Sequence, residues 1–285
     1  MGNIGLELRP AGNSVFGPTF ANNRPRKLYS RDRVSQFLPT RPAHMKISII
    51  VPAFNEEKLL RDSLKSIRAA ASQFDDREWA WELIVCDNNS TDKTPVIAHE
   101  EGAVVVFEPI NQISRARNRG AAAAKGEWML FIDADSHPSA QLLGEVAEQI
   151  ETGRALAGGS TLRMDEGGLS LRCVNGLWNV ISRVTRWAAG SFIWVEAGAF
   201  REIGGFSDEL YASEELDLFA RLKRLARRRR KRVIILTRHP MVTSARKVKL
   251  YTPGELLGIL WKTVVGFGRP LKDKEACHMW YDGRR

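Results

Sequence analysis

Two carboxylates one residue apart, Asp133 and Asp135, stand at the end of the apolar run Trp128-Met129-Leu130-Phe131-Ile132. Residues i and i+2 of an extended strand share a face, so this spacing predicts both side chains converging on one hard cation. Mg2+ and Mn2+ take oxygen ligands and are commonly held by one or two carboxylates plus substrate phosphates. His137, two residues further on, is a third candidate ligand. The plain alternative is a solvated turn leading into a helix, with Pro138 at its start. An Asp-x-Asp pair alone is common, so its weight comes from what surrounds it.

A second acidic cluster, Glu214-Glu215-Leu216-Asp217, opens a segment with helical spacing. Acids in a first helical turn complement the helix dipole, and Ser213 is placed to act as N-cap. Read alone, that structural role is the better one.

Groups of this kind need rigid elements to hold them, and from Lys46 the chain alternates strand-like and helix-like runs. Ile47 to Val51 is a β-branched run closed by Pro52, and Leu59, Leu60, Leu64 and Ile67 recur at helical spacing. Strands are predicted at 83–86, 103–107 and 128–132, and helices at 95–101, 114–125 and 138–150, with Gly126 as the cap of the helix before it. Repeated βα units predict an α/β fold, a mostly parallel sheet flanked by helices on both faces. In such sheets ligands bind beyond the carboxyl ends of the strands. Those ends carry Asn55-Glu56-Glu57, Asp87-Asn88 and Asp133-Ala134-Asp135. Past residue 155 the rhythm loosens. A strand at 156–162, a helix at 169–186 with Leu171, Val174, Leu177, Trp178 and Ile181 on one face, a helix at 214–227, a strand at 233–236 and a final helix at 255–267 are expected.

Several segments follow in a fixed order: Ser48 to Glu57, Leu83 to Asp92, Ser114-Arg115-Ala116-Arg117-Asn118-Arg119-Gly120, Lys125 to Asp135, Gly204-Gly205-Phe206 and Glu214 to Asp217. Each is loose by itself, but together, over about residues 46–250, they resemble glycosyltransferase family 2, inverting sugar transferases with a Rossmann-like GT-A fold. The resemblance implies a nucleotide-diphosphate sugar donor and a Mn2+ or Mg2+ cofactor. It implies that Pro52, Ala53 and Phe54 cradle base and ribose, with Glu57 toward the ribose hydroxyls and Asp87 at the base edge. Arg117 and Asn118 match the family's Arg-Asn pair, with Arg117 against the base or its acidic partner. Ala134 and Asp135 lie on the donor, and Asp133 and Asp135 form the metal pair. The catalytic base falls on Glu215, where the family usually has Asp, with Asp217 beside it. Glu214, Arg115, His239 and Arg246 are secondary candidates, the last two in a segment expected to follow the final strand. A solvated helix face is the better reading for Arg119, and core packing for Trp178, Trp187 and Trp194.

The implied domain plan is a disordered basic leader at 1–44, a GT-A domain at 45–250, and a C-terminal helix and tail at 251–285. Within the domain, 45–138 form the nucleotide-sugar-binding half and 139–250 the acceptor half. The leader holds seven Arg and Lys against Glu7 and Asp32, with five of the twelve prolines, a composition that cannot bury a core. Met45, directly before the first strand, is an alternative start. Over all 285 residues, 43 Lys and Arg against 33 Asp and Glu leave a charge of +10, which favours anionic partners without specifying a fold. Three scattered cysteines argue for a reducing compartment and against a disulfide framework. No run reaches the roughly 18 apolar residues of a spanning helix, so a cytoplasmic location is expected, with peripheral membrane contact as an alternative. The run Arg227 to Arg232 suits either a solvated helix end or an anionic membrane surface.

The expected partners are the donor and a sugar, lipid or other hydroxyl acceptor, with no nucleic acid. A polyprenyl-phosphate acceptor and a non-catalytic basic binding module are the alternatives, and the module leaves the acids at successive strand ends unexplained. No GxGxxG follows the first strand, which sets aside a dinucleotide oxidoreductase. The acidic Pro52 to Glu57 likewise lacks the basic, glycine-rich loop of a sugar-nucleotide-forming enzyme.

Overall fold

Strand β1 (Met45–Ala53) is central because its side chains are apolar in both directions. Ile47, Ile49 and Val51 pack into one hydrophobic layer and Ile50 into the other. The fold is described by a computed structural model for residues 45–165, 169–211 and 213–244. The leader, Arg246 and the helix expected at 255–267 lie outside these residues.

The remaining strands are β2 (Ala80–Asp87), β3 (Val104–Phe107), β4 (Trp128–Ile132), β5 (Ser136–His137), β6 (Ala155–Met164), β7 (Phe192–Glu196) and β8 (Arg232–Thr243). One eight-stranded sheet runs β3-β2-β1-β4-β7-β6-β8-β5. Pairings from β3 to β4 are parallel, as the βα rhythm predicts. The other half is mixed: β7 is antiparallel to both β4 and β6, β6 is parallel to β8, and β5 is antiparallel to β8. Helices α1 (Leu60–Asp75), α2 (Thr94–Glu100) and α4 (Ala140–Glu151) cover the face built on Ile47 and Val51. Helices α3 (Ile113–Ala123), α6 (Ala197–Glu202) and α7 (Glu214–Arg228) cover the opposite face. Helix α5 (Leu169–Thr185) follows β6.

Several local expectations need correction. Strand β7 and the short α6 are absent from the pattern read above, because five consecutive buried or half-buried residues carry no alternation. Strand β8 is much longer than 233–236. Its register jumps from Ser160↔Leu236 to Leu162↔Met241, so residues 237–240 leave the ladder around Pro240. Leu177 faces outward, whereas Trp178 packs against the core and Trp194 is fully buried. Ser139, rather than Ser136 or Pro138, caps α4, its hydroxyl accepting from the Leu142 N–H at 3.1 Å.

Gly126 is not a helix cap either: α3 ends at Ala123, and Gly126 N–H donates to the Ser48 hydroxyl. A Cβ at this position would stand 2.6 Å from the Ser48 nitrogen and 2.8 Å from the Ile47 carbonyl carbon. Glycine is required here by the close approach of the loop to β1. Overpacking against fixed backbone typically costs about 1–3 kcal/mol. Gly126→Ala is therefore expected to lower the unfolding free energy measured in urea by that amount, and an unchanged value would show that the loop can move away.

Candidate active site

The carboxyl ends of β1, β2 and β3 are joined by side-chain hydrogen bonds before any ligand is considered. Asn55, in the left-handed region at φ 52°, accepts the Thr91 N–H on its side chain, while its own N–H donates to the Ser90 hydroxyl. Asp87 is buried at the end of β2 and accepts the Ser90 N–H at 3.2 Å. Asn88 donates to the carbonyls of Glu108 and Ile110 and accepts the Gln112 N–H. Gln112 in turn donates to the carbonyls of Asp208 and Leu210. Gln112 was not anticipated; a glutamine before a helix carries no local signal of such a role.

Pro52 and Ala53 belong to β1, paired with Cys86 and Asp87, and the Ala53 carbonyl accepts the Asn88 N–H. The expectation of a turn with free backbone groups is thus corrected for Ala53. Pro52 is tolerated in a central strand because the β1–β4 pairing ends at Ile50, leaving no ladder bond for its missing N–H. Phe54 follows the strand, half-buried, and Glu57 is exposed, accepting the Lys93 N–H.

Asp133 and Asp135 sit in a turn, not on a strand: β4 ends at Ile132, and the Ser136 N–H donates to the Asp133 carbonyl. The strand-parity argument therefore does not apply. Asp135 is buried and its carbonyl accepts the Ser244 N–H, which brings the end of β8 to the turn. His137 pairs with Val242 in β5, and no cluster of three His, Cys, Asp or Glu suited to a metal exists among the described residues. His137 thus forms no such cluster with the two aspartates among the described residues. Two carboxylates remain, an oxygen donor set that fits a hard divalent cation completed by substrate phosphates.

Arg117 stands at the centre. Its side chain is 1% exposed, and it donates to Asp133 Oδ1 at 3.0 Å, Glu214 Oε1 at 2.5 Å and the Gly190 carbonyl at 2.9 Å. Its guanidinium carbon lies 5.2 Å from the centre of the Phe206 ring. Arg117, expected against the base or its acidic partner, is thus held among the acids of the β4 turn and α7. Burial works against its charge, but Asp133, Glu214 and Glu215 outweigh it and hold the group protonated. Asn118 also turns inward: its side chain exchanges hydrogen bonds with the backbone of Phe206 and donates to Asp208. Gly205, at φ 70°, is needed where a Cβ would stand 2.7 Å from the Asn118 oxygen.

Helix α7 begins at Glu214, on Arg117. Ser213, at φ 57°, does not cap it with its side chain. Asp217 is committed to Arg221, which also donates to the carbonyls of Ile203 and Gly205. Its carboxylate thus holds the arginine that ties down the 203–205 turn. Glu215, half-buried, has no ion-pair partner among the described residues. Burial, with repulsion from Glu214, pushes its carboxyl up to about 8.

Of the secondary candidates, Arg115 donates to Gln112 and reaches Asp208 at 3.9 Å. His239 lies in β8, not after it, and contacts Glu145 of α4 through Nδ1. Arg119 donates to the Phe107 carbonyl from an exposed side chain.

Residues 48–186 match the family model described as glycosyl transferase family 2. That match covers just under half of the 285 residues. A curated relative, the GalNAc(5)-diNAcBac-PP-undecaprenol beta-1,3-glucosyltransferase of Campylobacter jejuni, is 28% identical over 184 residues, covering 59% of this chain and 57% of its own. Curated relatives are spanned only in part, from 16% to 57% of their length. Among solved structures, S. aureus TarS 1-349 with UDP-GlcNAc superimposes with a TM-score of 0.54 at 21% identity, covering 70% of this chain and 58% of that one. Glucosyl-3-phosphoglycerate synthase from Mycobacterium tuberculosis, with Mn2+, UDP and phosphoglyceric acid, gives 0.53 at 20%, covering 82% and 79%. These likenesses establish the GT-A-type fold. The family match ends at 186, so α7 and β8 enter through the fold alone.

Breaking a buried ion pair by removing one partner typically costs about 3–5 kcal/mol. Arg117→Met is expected to lose that much in urea unfolding. Arg117→Lys should recover only part, because one ammonium lacks the planar fork that reaches three acceptors. A loss below about 1 kcal/mol for the methionine variant, far under that range, would show that the acids find other partners.

Proposed function

We propose that this protein moves a sugar from a nucleotide-diphosphate sugar to an acceptor hydroxyl, inverting the anomeric centre. The observation that carries this reading is the Arg117 node, which binds the Asp133 turn and the start of α7 to one guanidinium. Glu215, the next residue of α7, is thereby kept near Asp133, at the strand ends where ligands of such sheets bind.

Asp87, the last residue of β2, and Glu57, on the loop after β1, are assigned to the base edge and the ribose hydroxyls. Asp133 and Asp135 would hold Mn2+ or Mg2+, whose chemistry when bound is to neutralise charge on the departing diphosphate. Arg117 orients Asp133 without touching the donor. Glu215 takes the proton of the acceptor hydroxyl on a carboxylate oxygen. The hydroxyl oxygen then attacks the anomeric carbon from the face opposite the nucleotide, and the sugar–phosphate bond breaks in the same displacement. A carboxyl raised to about 8 is a stronger base than an ordinary glutamate. A hydroxyl acceptor needs such help, whereas a phosphate monoester, with a second pKa near ~6, is already largely ionised.

A base must be unprotonated to act, so turnover is expected to rise with pH, with a midpoint near 8 set by Glu215. Glu215→Gln should abolish that limb and lower turnover by about 10²–10⁴-fold, the usual range for general-base help. Equal turnover and an unchanged pH profile in the variant would remove Glu215 from the mechanism.

Donor binding is tested apart from turnover. A panel of nucleotide sugars with Mn2+ should raise the thermal midpoint, since a ligand at 100 times its Kd adds about 2.7 kcal/mol to the folded state. Asp135→Asn and EDTA should each remove the metal-dependent part. Stabilisation indifferent to both would argue for a binding module without metal chemistry.

A further inference from the structure

Two features away from the site adjoin one another. Helix α5 turns an apolar stripe outward: Leu177, Val180 and Val184 are 49%, 51% and 79% exposed. Their i, i+3, i+7 spacing aligns them along one helix face. A contiguous apolar patch, unlike scattered single residues, marks an interaction surface.

The stripe ends at a cleft of about 260 Å3 between the end of α5 and the end of α7. Val184 forms part of its wall, and Arg186, Lys223, Arg227 and Arg232 form much of the rest, with no carboxylate in the lining. Lys231, also at the wall, is paired with Glu196, but none of those four has an ion pair among the described residues. Lys223 donates to the Thr185 carbonyl and lies 5.4 Å from the centre of the Trp187 ring. Burial, with repulsion from Arg186 and Arg227, draws its ammonium down to about 8. Cations gathered at a mutual cost of this kind lack an anion that the described residues do not provide.

We propose that this face docks on an anionic phospholipid bilayer, with Leu177, Val180 and Val184 entering the interfacial layer and the cations of the cleft meeting lipid phosphates. No helix among the described residues is long and apolar enough to cross a membrane; α5 would instead lie in the interfacial plane, apolar stripe down. The pairing of features selects lipid over other polyanions. A nucleic acid would use the cations but gain nothing from an aliphatic stripe, which offers no aromatic ring for base stacking. None of these residues belongs to the candidate active site, so the proposal stands apart from the transfer reaction.

The test is flotation of the full chain with vesicles of phosphatidylcholine alone or mixed 3:1 with phosphatidylglycerol. The wild type is expected to float with the mixed vesicles and not with the neutral ones. Each basic residue near such a surface contributes about 1 kcal/mol, about fivefold in partitioning. R186Q/R227Q/R232Q should therefore bind about 100-fold more weakly, while R186K/R227K/R232K retains binding. L177S/V180S/V184S changes only exposed side chains and should weaken binding at least tenfold with an unchanged thermal midpoint. No flotation of the wild type, equal flotation with neutral vesicles, or unaltered binding by either the glutamine or the serine variant would overturn the proposal. So would binding to a single-stranded RNA oligonucleotide that the glutamine variant loses and the serine variant keeps, without lipid binding.

Discussion

A guanidinium removed from water has to be surrounded by acceptors, and in this protein that requirement fixes the geometry of the site. Arg117 draws on the turn after β4, the segment before β7 and the first residue of α7. The desolvation of buried charges costs several kcal/mol per ion and is offset only when their geometry is good. Three acceptors and the Phe206 ring meet much of that condition, and only the buried Nε–H finds no hydrogen-bond partner among the described residues. The Asp133 turn and the α7 terminus are consequently set against each other by one side chain, and neither can shift far without leaving charge uncompensated.

Around this node the polar residues mostly hold backbone. Asn118 fixes the turn at Gly205 and Phe206, Arg221 with Asp217 fixes the same turn from α7, and Asn88 and Gln112 tie three loops together. Buried backbone groups outside regular structure need partners, and amide side chains supply them here. The residues best suited by type to touch a ligand are in large part those that keep the loops in shape. Glu215 is the exception, a carboxylate beside the node with no cation of its own among the described residues.

The first half of the sheet was legible because each βα unit announces itself locally. β-branched runs such as Ile47 to Val51 alternate with helical spacing, and short acidic turns mark the strand ends. Strand β7 was not, since an all-apolar run of five has no period to read. The Asp133-Ala134-Asp135 segment does follow β4, but it is a turn, so strand parity does not describe it. The partners of Arg117 and Asn118 were not legible because they lie on other elements, and neither burial nor the direction of a long side chain is written in its neighbours. Asp217 pairs within its own helix, with Arg221 one turn on. Glu214 was read as a helix-dipole acid, a role that it holds together with the buried ion pair.

The bond between Arg117 and Glu214 spans 97 residues. Contacts of such sequence separation are slow to form because a long loop must close first. During synthesis, β1 to β4 and their helices would emerge well before α7, with Asp133 already opposite Arg117 but no second carboxylate to meet it. The Arg117 node is thus completed late, and a nascent or truncated chain ending before residue 214 would own the strand ends and lack the second acid that closes the node.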